Sequence, residues 1–323
     1  MWFQEDEPDF AGIYESCELC PRACKVDRTH TGHGKAKGFC GETDRVRVAH
    51  VGPHFGEEPP ITGTRGSGTV FFSGCSLKCK FCQNHQISLG DVGETLDFHQ
   101  LVEKIRQMIV NYGVHNLNFV TPDHFIPHTA GVASHLKKEH PGLPILYNFS
   151  GYQSVKVLKN LEKYADIYLP DFKYSDTALA KNLSACADYP EKAIDAISEM
   201  VRQKGFLDGP VSGGAPATQG VLVRHLILPG AVENSINALT TLFIEFGSHL
   251  PISLMSQYHP VVQHKDPELN RTITIHEFEK VHNHARQLGF KHMFVQFPEA
   301  YGETTLDDPS FLPDFEKGEP FFP

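Results

Sequence analysis

Three cysteines stand close together in one short run of the sequence, Gly74-Cys-Ser-Leu-Lys-Cys-Lys-Phe-Cys-Gln-Asn84. Cys75, Cys79 and Cys82 have the spacing C-x3-C-x2-C. Thiolates are the usual ligands of iron–sulfur clusters, and three of them on one tight loop can hold three irons of a [4Fe–4S] cluster. The fourth iron would then have no protein ligand, so it could bind a small molecule and hand it an electron. The run therefore predicts a reactive cluster and not the closed four-cysteine site of a simple electron carrier.

Two other interpretations of this loop stay open at the level of residue types. The three thiols could be buried and free, since buried cysteine is common, although Ser76, Lys78 and Lys80 make the loop polar for a core segment. Zinc is the other interpretation, because His85 follows Cys82 by three residues and a structural zinc site needs four ligands.

A second set of cysteines lies nearer the start of the chain. Cys17, Cys20, Cys24 and Cys40 have the spacing C-x2-C-x3-C-x15-C, with a glycine-rich connection before the last. Four thiols make a closed metal site, which suits zinc or an auxiliary [4Fe–4S] cluster, and spacing does not choose between the two. The site could anchor the N-terminal segment or take part in electron transfer.

The composition is that of a globular protein of 323 residues, with 40% hydrophobic residues and a net charge of −10. No block of Lys and Arg predicts a nucleic-acid or anionic-membrane partner. No run reaches the length of a membrane span, and the first residues lack the apolar stretch of a signal peptide. We therefore expect a cytoplasmic protein, in which eight cysteines indicate metal or redox chemistry more than disulfides.

The elements that must position the cysteines alternate between strand and helix. Residues 1–67 are rich in Cys, Gly and Pro without periodicity, and we interpret them as an irregular N-terminal metal-binding extension. Residues 68–297 contain six to seven strand-then-helix units, which predicts an α/β fold with a parallel sheet. Residues 298–323 form an acidic tail rich in Pro and Gly. A doubly wound sheet and a full or partial barrel fit this pattern equally.

Polar residues follow most of the predicted strands, at the point where each strand ends. In both candidate architectures, active-site groups gather at the carboxyl ends of parallel strands. We therefore expect the following segments to meet at one edge: the cysteine loop, residues 121–124, 148–150 and 171–173, Arg224 with His225, and residues 257–259.

The loop after the first strand, C-x3-C-x-aromatic-C, resembles that of the radical S-adenosylmethionine (SAM) enzymes. Residues 168–173, 223–230 and 256–259 extend the similarity to the branch that contains the pyruvate formate-lyase activating enzyme. The N-terminal quartet makes the chain similar to the PflX-like group within that branch. The resemblance implies a partial (βα)6 TIM-like barrel with the cluster at its mouth.

The resemblance also implies a reaction. SAM would chelate the open iron, and an electron from a donor such as flavodoxin or ferredoxin would cleave it to methionine and a 5′-deoxyadenosyl radical. That radical would abstract hydrogen, in activating enzymes from a glycine of a partner enzyme. The alternatives are a small molecule or another macromolecule as substrate, with help from an auxiliary cluster, or a non-catalytic iron–sulfur electron carrier.

Carried over to this sequence, the resemblance assigns SAM contacts to several strand-end residues. Phe81 would lie against the adenine, and Asn84 would support the loop or SAM. Asp171 and Lys173 would face the methionyl end, where Lys173 offers a cation to the carboxylate. Arg224 would do the same with its planar donor fork.

The resemblance implies further contacts with SAM, and the sequence departs from the family pattern at one segment. His259 would approach the ribose hydroxyls, and Asn148, at the end of a predicted strand, would also contact SAM. The Gly-Gly-Glu usual for the family after its second strand is absent, and residues 118–124 stand in its place. Asn118, Thr121 and backbone carbonyls of this segment would then receive the SAM ammonium.

Overall fold

The computed structural model describes residues 10–29, 38–208, 214–298 and 312–321. Ten strands in these residues form two sheets. They are β1 (Arg47–His54), β2 (Ser67–Phe72), β3 (Glu94–Thr95), β4 (Leu117–Val120), β5 (Ile145–Phe149), β6 (Ile167–Pro170), β7 (Gly220–Val221), β8 (Val223–Leu226), β9 (Ile252–Met255) and β10 (Met293–Val295).

The larger sheet has the order β3-β1-β2-β4-β5-β6-β7. Strand β1 is antiparallel to β2 and β3, whereas β2, β4, β5, β6 and β7 are parallel. The smaller sheet, β10-β9-β8, is parallel throughout. A parallel bridge between Asp171 and Arg224 links the two sheets. The strands of the described residues form no closed barrel.

Nine α-helices of the described chain connect the strands. They are α1 (Pro59–Thr62), α2 (His85–Ser88), α3 (Phe98–Tyr112), α4 (Ile126–Glu139), α5 (Val155–Leu161), α6 (Thr177–Ser184), α7 (Tyr189–Lys204), α8 (Val232–Phe246) and α9 (Ile275–Leu288). A 3₁₀ turn, Pro267–Asn270, precedes α9. Among the described helices, none combines the length and the apolar composition that a membrane span requires.

Local sequence signals explain why the crossover helices begin and end where they do. Helix α3 begins with a capping box, in which Asp97 accepts from the Gln100 backbone and Gln100 binds back to Asp97. It ends at Gly113, which has the left-handed conformation that glycine adopts most easily. Helix α9 has the same arrangement, with a capping box at Thr274 and a left-handed Gly289.

The strand alternation divides the core between two sides of the larger sheet. Val70 and Phe72 of β2 belong to the main cluster, together with Leu101 and Ile105 of α3. Phe71 points the other way and packs with Phe315 of the C-terminal segment, at a ring distance of 5.2 Å. Helices therefore cover one side of the sheet, and the inner side faces the cavity described below.

The predicted α/β class with a mostly parallel sheet is confirmed. The expectation that residues 1–67 are irregular is wrong for residues 47–54. These eight residues form β1, which pairs with β2. This strand contains Gly52, Pro53 and alternating polar residues, and its partners lie elsewhere in the chain, so no local apolar run marks it. The three-part division of the chain stays a prediction.

Candidate active site

The cysteine loop lies where β2 ends and α2 begins. Cys75 and Cys79 are buried and Cys82 is partly buried, and all three line one cavity of about 1020 Å³. The backbone N–H of Leu77 donates to Cys75 Sγ at 3.3 Å, and the Ser184 hydroxyl donates to Cys79 Sγ at 3.0 Å. Donors to sulfur stabilise thiolates, so these contacts prepare the loop for a metal.

The electrostatics of the thiols indicate that a positive partner is needed to ionise them. Burial raises the pKa of Cys75 above its usual value, and the negative charge of neighbouring Cys79 raises it further. The same two causes raise the pKa of Cys82. Since thiolates and not thiols bind metal, iron would have to supply the compensating charge.

The donor set fits a [4Fe–4S] cluster, because three thiols line one cavity. A [4Fe–4S] cluster distributes its thiolates over several irons, so it requires three thiols around a common cavity. Asn84, beside the loop, adds a buried Oδ1 without a hydrogen-bond partner, and such an orphaned atom on a cavity wall is typical of a ligand site.

The remaining predicted contacts with SAM mostly surround the same cavity. Phe81, Asn84, Thr121, Asn148, Asp171, Lys173, Arg224 and His259 line it together with the three cysteines. Asn118 is fully buried and does not line it. Sequence segments that are up to 184 positions apart thus meet at one edge of the strands, as expected for parallel strands.

Thr121 marks the end of β4 with an unusual backbone conformation. Its φ is +54°, which is uncommon for a β-branched residue and costs on the order of 1–3 kcal/mol. Its N–H donates to the Asn148 carbonyl at 3.0 Å. The strain is therefore held by the neighbouring strand, and it turns the chain at the cavity wall.

Asp171 and Lys173 form an ion pair at the end of β6. Burial disfavours the charge of Lys173, but adjacent Asp171 outweighs it and raises the lysine pKa above its usual value. Tyr189 fixes this segment, because its hydroxyl accepts from the Lys173 N–H at 3.0 Å and lies 2.8 Å from the Asp171 carbonyl. Lys173 is thus a positioned cation on the cavity wall, already partnered by a carboxylate.

Arg224 has partners that the sequence did not reveal. Its Nε donates to Glu58 at 2.8 Å, and its Nη2 donates to both Glu57 and Glu58. Burial opposes the charge of Arg224, but the two carboxylates raise its pKa well above the usual value. The donor fork predicted to hold a SAM carboxylate is engaged by these glutamates, so the assignment to SAM stays a prediction.

Asp123 is another buried residue that was not predicted to contact SAM. It is 1% exposed, lies in the segment that replaces Gly-Gly-Glu, and accepts from Ser150 and from Gln153 at 2.6 Å. The Ser76 hydroxyl of the cysteine loop lies 3.4 Å from the same oxygen. Burial raises the pKa of Asp123 to about 6. The carboxylate ties the cysteine loop to the ends of the next two strands.

The N-terminal cysteine segment docks directly against the cysteine loop. Arg22, between Cys20 and Cys24, donates to the Ser76 carbonyl at 2.8 Å and to the carbonyls of Ala185 and Ser184. A Cβ built on Gly74 would lie 3.0 Å from the Cys40 carbonyl. Glycine at position 74 therefore permits the close approach of the two segments.

The four N-terminal thiols approach one another. Cys17 and Cys40 both raise the pKa of Cys20, in addition to the larger effect of burial, which brings it to about 12. A Cβ on Gly38 would lie 3.5 Å from Cys24 Sγ and 3.8 Å from Cys40 Sγ. Whether this set binds zinc or an auxiliary cluster stays open.

The sequence profile of the radical SAM superfamily matches residues 69–230, which is half of the chain. The chain belongs to the radical SAM superfamily. The match begins in β2 and ends after β8, so it contains the cysteine loop, Asp171, Lys173 and Arg224. Membership implies a [4Fe–4S] cluster and SAM as cofactors.

Individual proteins resemble the chain less closely. An uncharacterized protein of Methanocaldococcus jannaschii is 27% identical over 83% of this chain and 73% of its own length. The structure of HydG, a maturase of the [FeFe]-hydrogenase, is 15% identical with a TM-score of 0.50, over 78% of this chain and 55% of that one. A domain of pyruvate-formate lyase-activating enzyme from Bacteroides vulgatus covers 53% of this chain and 92% of its own, at 12% identity and a TM-score of 0.37. The HydG structure supports the fold. None of these three proteins shows whether the chain belongs to the PflX-like subgroup.

Proposed function

We propose that this radical SAM protein reductively cleaves SAM at a cluster held by Cys75, Cys79 and Cys82. The observation that carries the proposal is that the three thiols share one cavity with Phe81, Asn84, Asp171, Lys173 and other strand-end residues. A carrier of electrons has no use for such a cavity. The bound cluster and SAM would supply a 5′-deoxyadenosyl radical for hydrogen abstraction.

The residues of the chain would bind and orient SAM and keep water away. Phe81 is 7% exposed, and its ring lies 6.0 Å from that of Tyr258 and 6.4 Å from that of Tyr174. This aromatic group suits the face of an adenine. Lys173 would offer its ammonium to the methionyl carboxylate, and the free Oδ1 of Asn84 would accept a hydrogen bond from SAM.

The second metal site and the partners belong to the same proposal. The quartet of Cys17, Cys20, Cys24 and Cys40 would hold zinc or an auxiliary cluster beside the first one. A one-electron donor such as flavodoxin or ferredoxin would reduce the cluster, and the reducing cytoplasm would suit its thiolates.

Two kinds of substrate are compatible with this chemistry. A glycyl-radical activase of the PflX-like kind would accept a glycine-containing loop of a partner enzyme. The cavity, however, continues from the cysteine loop down to the charged group of Glu57, Glu58 and Arg224. A fixed buried ion cluster offers a peptide backbone little, and it favours a small molecule with a charge of its own.

The test of the proposal is anaerobic reconstitution, reduction with dithionite and an assay for 5′-deoxyadenosine formed from SAM. The wild-type protein should form it, whereas a Cys75→Ala/Cys79→Ala/Cys82→Ala variant should not. Equal amounts from the two proteins would sink the proposal.

A further inference from the structure

The last turn of helix α6 packs against the cysteine loop. The backbone N–H of Lys80 donates to the Leu183 carbonyl at 2.9 Å, and the Lys80 ammonium donates to Asn182 Oδ1 at 3.1 Å. The Ser184 hydroxyl donates to Cys79 Sγ at 3.0 Å, across 105 positions of the chain. Backbone and side-chain contacts therefore hold the end of α6 at one of the three thiols.

The direction of the hydrogen bonds at Ser184 follows from the number of hydrogens available. Ser184 is 1% exposed, and its Oγ also lies 2.7 Å from the Tyr174 hydroxyl. A serine hydroxyl has one hydrogen to donate, and a cysteine that binds iron is a thiolate with none to give. The serine hydrogen is therefore directed to Cys79 Sγ, and Tyr174 donates to Ser184 Oγ. Tyr174 keeps its proton, because burial raises the pKa of this phenol well above its usual value.

Arg22 of the N-terminal cysteine segment holds the backbone of the same turn. Its guanidinium donates to the carbonyls of Ser184 and Ala185, both at 2.8 Å. The last carbonyls of a helix have no partner within the helix and carry the negative end of its dipole, so they suit a cation. Ala185 ends α6 in the left-handed conformation, with a φ of +50°. Arg22 therefore fixes the turn that presents the Ser184 hydroxyl to the sulfur.

A donor at a ligating sulfur affects the two oxidation states of a cluster unequally. The reduced cluster carries one more negative charge than the oxidised cluster, so the hydrogen bond stabilises it more. Hydrogen bonds to the sulfurs are accordingly among the factors that set the reduction potential of a cluster. The Leu77 N–H at Cys75 belongs to the cysteine loop itself. The Ser184 hydroxyl comes from outside the loop, so its effect can be removed without a change in the loop.

We propose that Ser184, oriented by Tyr174 and Arg22, is a positioning residue that raises the reduction potential of the first cluster through its hydrogen bond to Cys79. The inference rests on the proposed function, because it concerns the cluster of the same site. Through Arg22, the N-terminal cysteine segment takes part in setting this potential.

The experiment is a reductive titration of the reconstituted protein without SAM, followed by electron paramagnetic resonance. The signal of the first cluster is the one that a Cys75→Ala/Cys79→Ala/Cys82→Ala variant lacks. Ser184→Ala should lower the potential of this cluster by about 30 to 60 mV, which is a threefold to tenfold smaller equilibrium constant for a one-electron reduction. Tyr174→Phe should lower the potential by a smaller amount, because the serine hydroxyl remains but is no longer oriented. Ser235→Ala, at a buried serine of α8, should leave the potential unchanged.

The outcome for the inference is kept separate from the outcome for the proposed function. An unchanged or raised potential in Ser184→Ala, at full iron content, would overturn the inference. If Ser184→Ala does not fold, the same result in Tyr174→Phe overturns it. Formation of 5′-deoxyadenosine by the wild type is scored separately. A protein that cleaves SAM but shows no shift refutes only the role of Ser184, and a shift without cleavage refutes only the proposed function.

Discussion

At the scale of single residues, the cavity depends on charges that are already partnered. Lys173 faces the cavity next to Asp171, and Arg224 is held by Glu57 and Glu58. Such pairs are costly to break, since removal of one partner leaves the other charge buried and uncompensated. The residues proposed to contact SAM should therefore be sensitive to loss of charge even where the fold survives.

Replacement of Lys173 tests this at one position. Lys173→Met should raise the dissociation constant of SAM about tenfold, because a buried charge-assisted hydrogen bond to the methionyl carboxylate is lost. Equilibrium dialysis with the reconstituted protein measures it. Lys192→Met removes a lysine paired with Glu191 on the surface of α7 and should leave the SAM affinity as it was. An unchanged affinity in Lys173→Met with its cluster intact would refute the assignment.

The residue types in the site were easier to predict than their partners. The spacing of Cys75, Cys79 and Cys82 is local, and so the loop could be recognised from the sequence. Glu57 and Glu58 meet Arg224 across 167 and 166 positions of the chain. No local pattern records such a pairing, and a pair of glutamates before two prolines has the appearance of an ordinary polar loop.

At the scale of elements, the strand ends are held in place by close backbone contacts. Gly151, just after β5, has a φ of +85°, and a Cβ there would lie 2.0 Å from the Asp171 carbonyl oxygen. Helix boundaries depend on local signals: α3 and α9 each begin with a capping box and end at a left-handed glycine. The position of strand β1 could not be predicted, because β1 is held by pairing with β2 and β3 and its own residues carry no local strand signal.

Gly151→Ala should destabilise the protein by about 3 kcal/mol or more, since an unfavourable φ is combined with a clash against backbone. Gly289→Ala provides a matched control, because Gly289 has the same φ of +85° with no atom within 4 Å of its Cβ position. It should cost only about 1 kcal/mol. Urea unfolding at neutral pH compares the two, and equal losses would contradict a close contact between Gly151 and the end of β6.

Strand β8 carries a titratable group whose burial makes stability depend on pH. His225 is 1% exposed, and its Nδ1 lies 2.6 Å from the Phe172 carbonyl. Burial lowers its pKa from 6.5 to about 4. The unfolded chain therefore binds this proton more tightly than the folded one, so the stability contributed is present above pH 6.5 and is lost as the pH falls towards 4.

Between pH 7 and pH 5 this histidine should account for a loss of about 2 kcal/mol of unfolding free energy. His225→Gln should remove that part of the acid sensitivity, whereas His276→Gln, at an exposed position of α9, should not. Urea midpoints at the two pH values give the comparison. The same slope for wild type and His225→Gln would show that the histidine is not buried in its neutral form.

At the scale of the whole molecule, the N-terminal cysteine segment and the cysteine loop form one unit. Arg22 donates to the Ser76 carbonyl, and Arg28 donates to the carbonyls of Glu42, Thr43 and His124. Arg28 also lies 3.6 Å from Cys17 Sγ. Both sets of cysteines could be recognised from the sequence as candidate metal sites. Their proximity could not be recognised, because it depends on long-range contacts of the folded chain.

Metal analysis tests the quartet as a second site. A Cys17→Ala/Cys20→Ala variant should lose iron or zinc relative to the wild type while it retains the iron of the first cluster. A loss of zinc alone would identify a structural zinc site, and a loss of iron alone would identify an auxiliary cluster. Cys186→Ala, a buried cysteine outside both sets, is the matched control. If neither metal decreases in the double variant, the quartet is no metal site.

We propose that the iron left open by Cys75, Cys79 and Cys82 binds SAM. Electron paramagnetic resonance of the reduced protein, before and after SAM is added, tests it most directly. The Cys17→Ala/Cys20→Ala variant leaves the first cluster as the only source of the signal. We expect a spectrum that changes when SAM is added. A spectrum that is identical with and without SAM, in a protein with its full iron content, would contradict it.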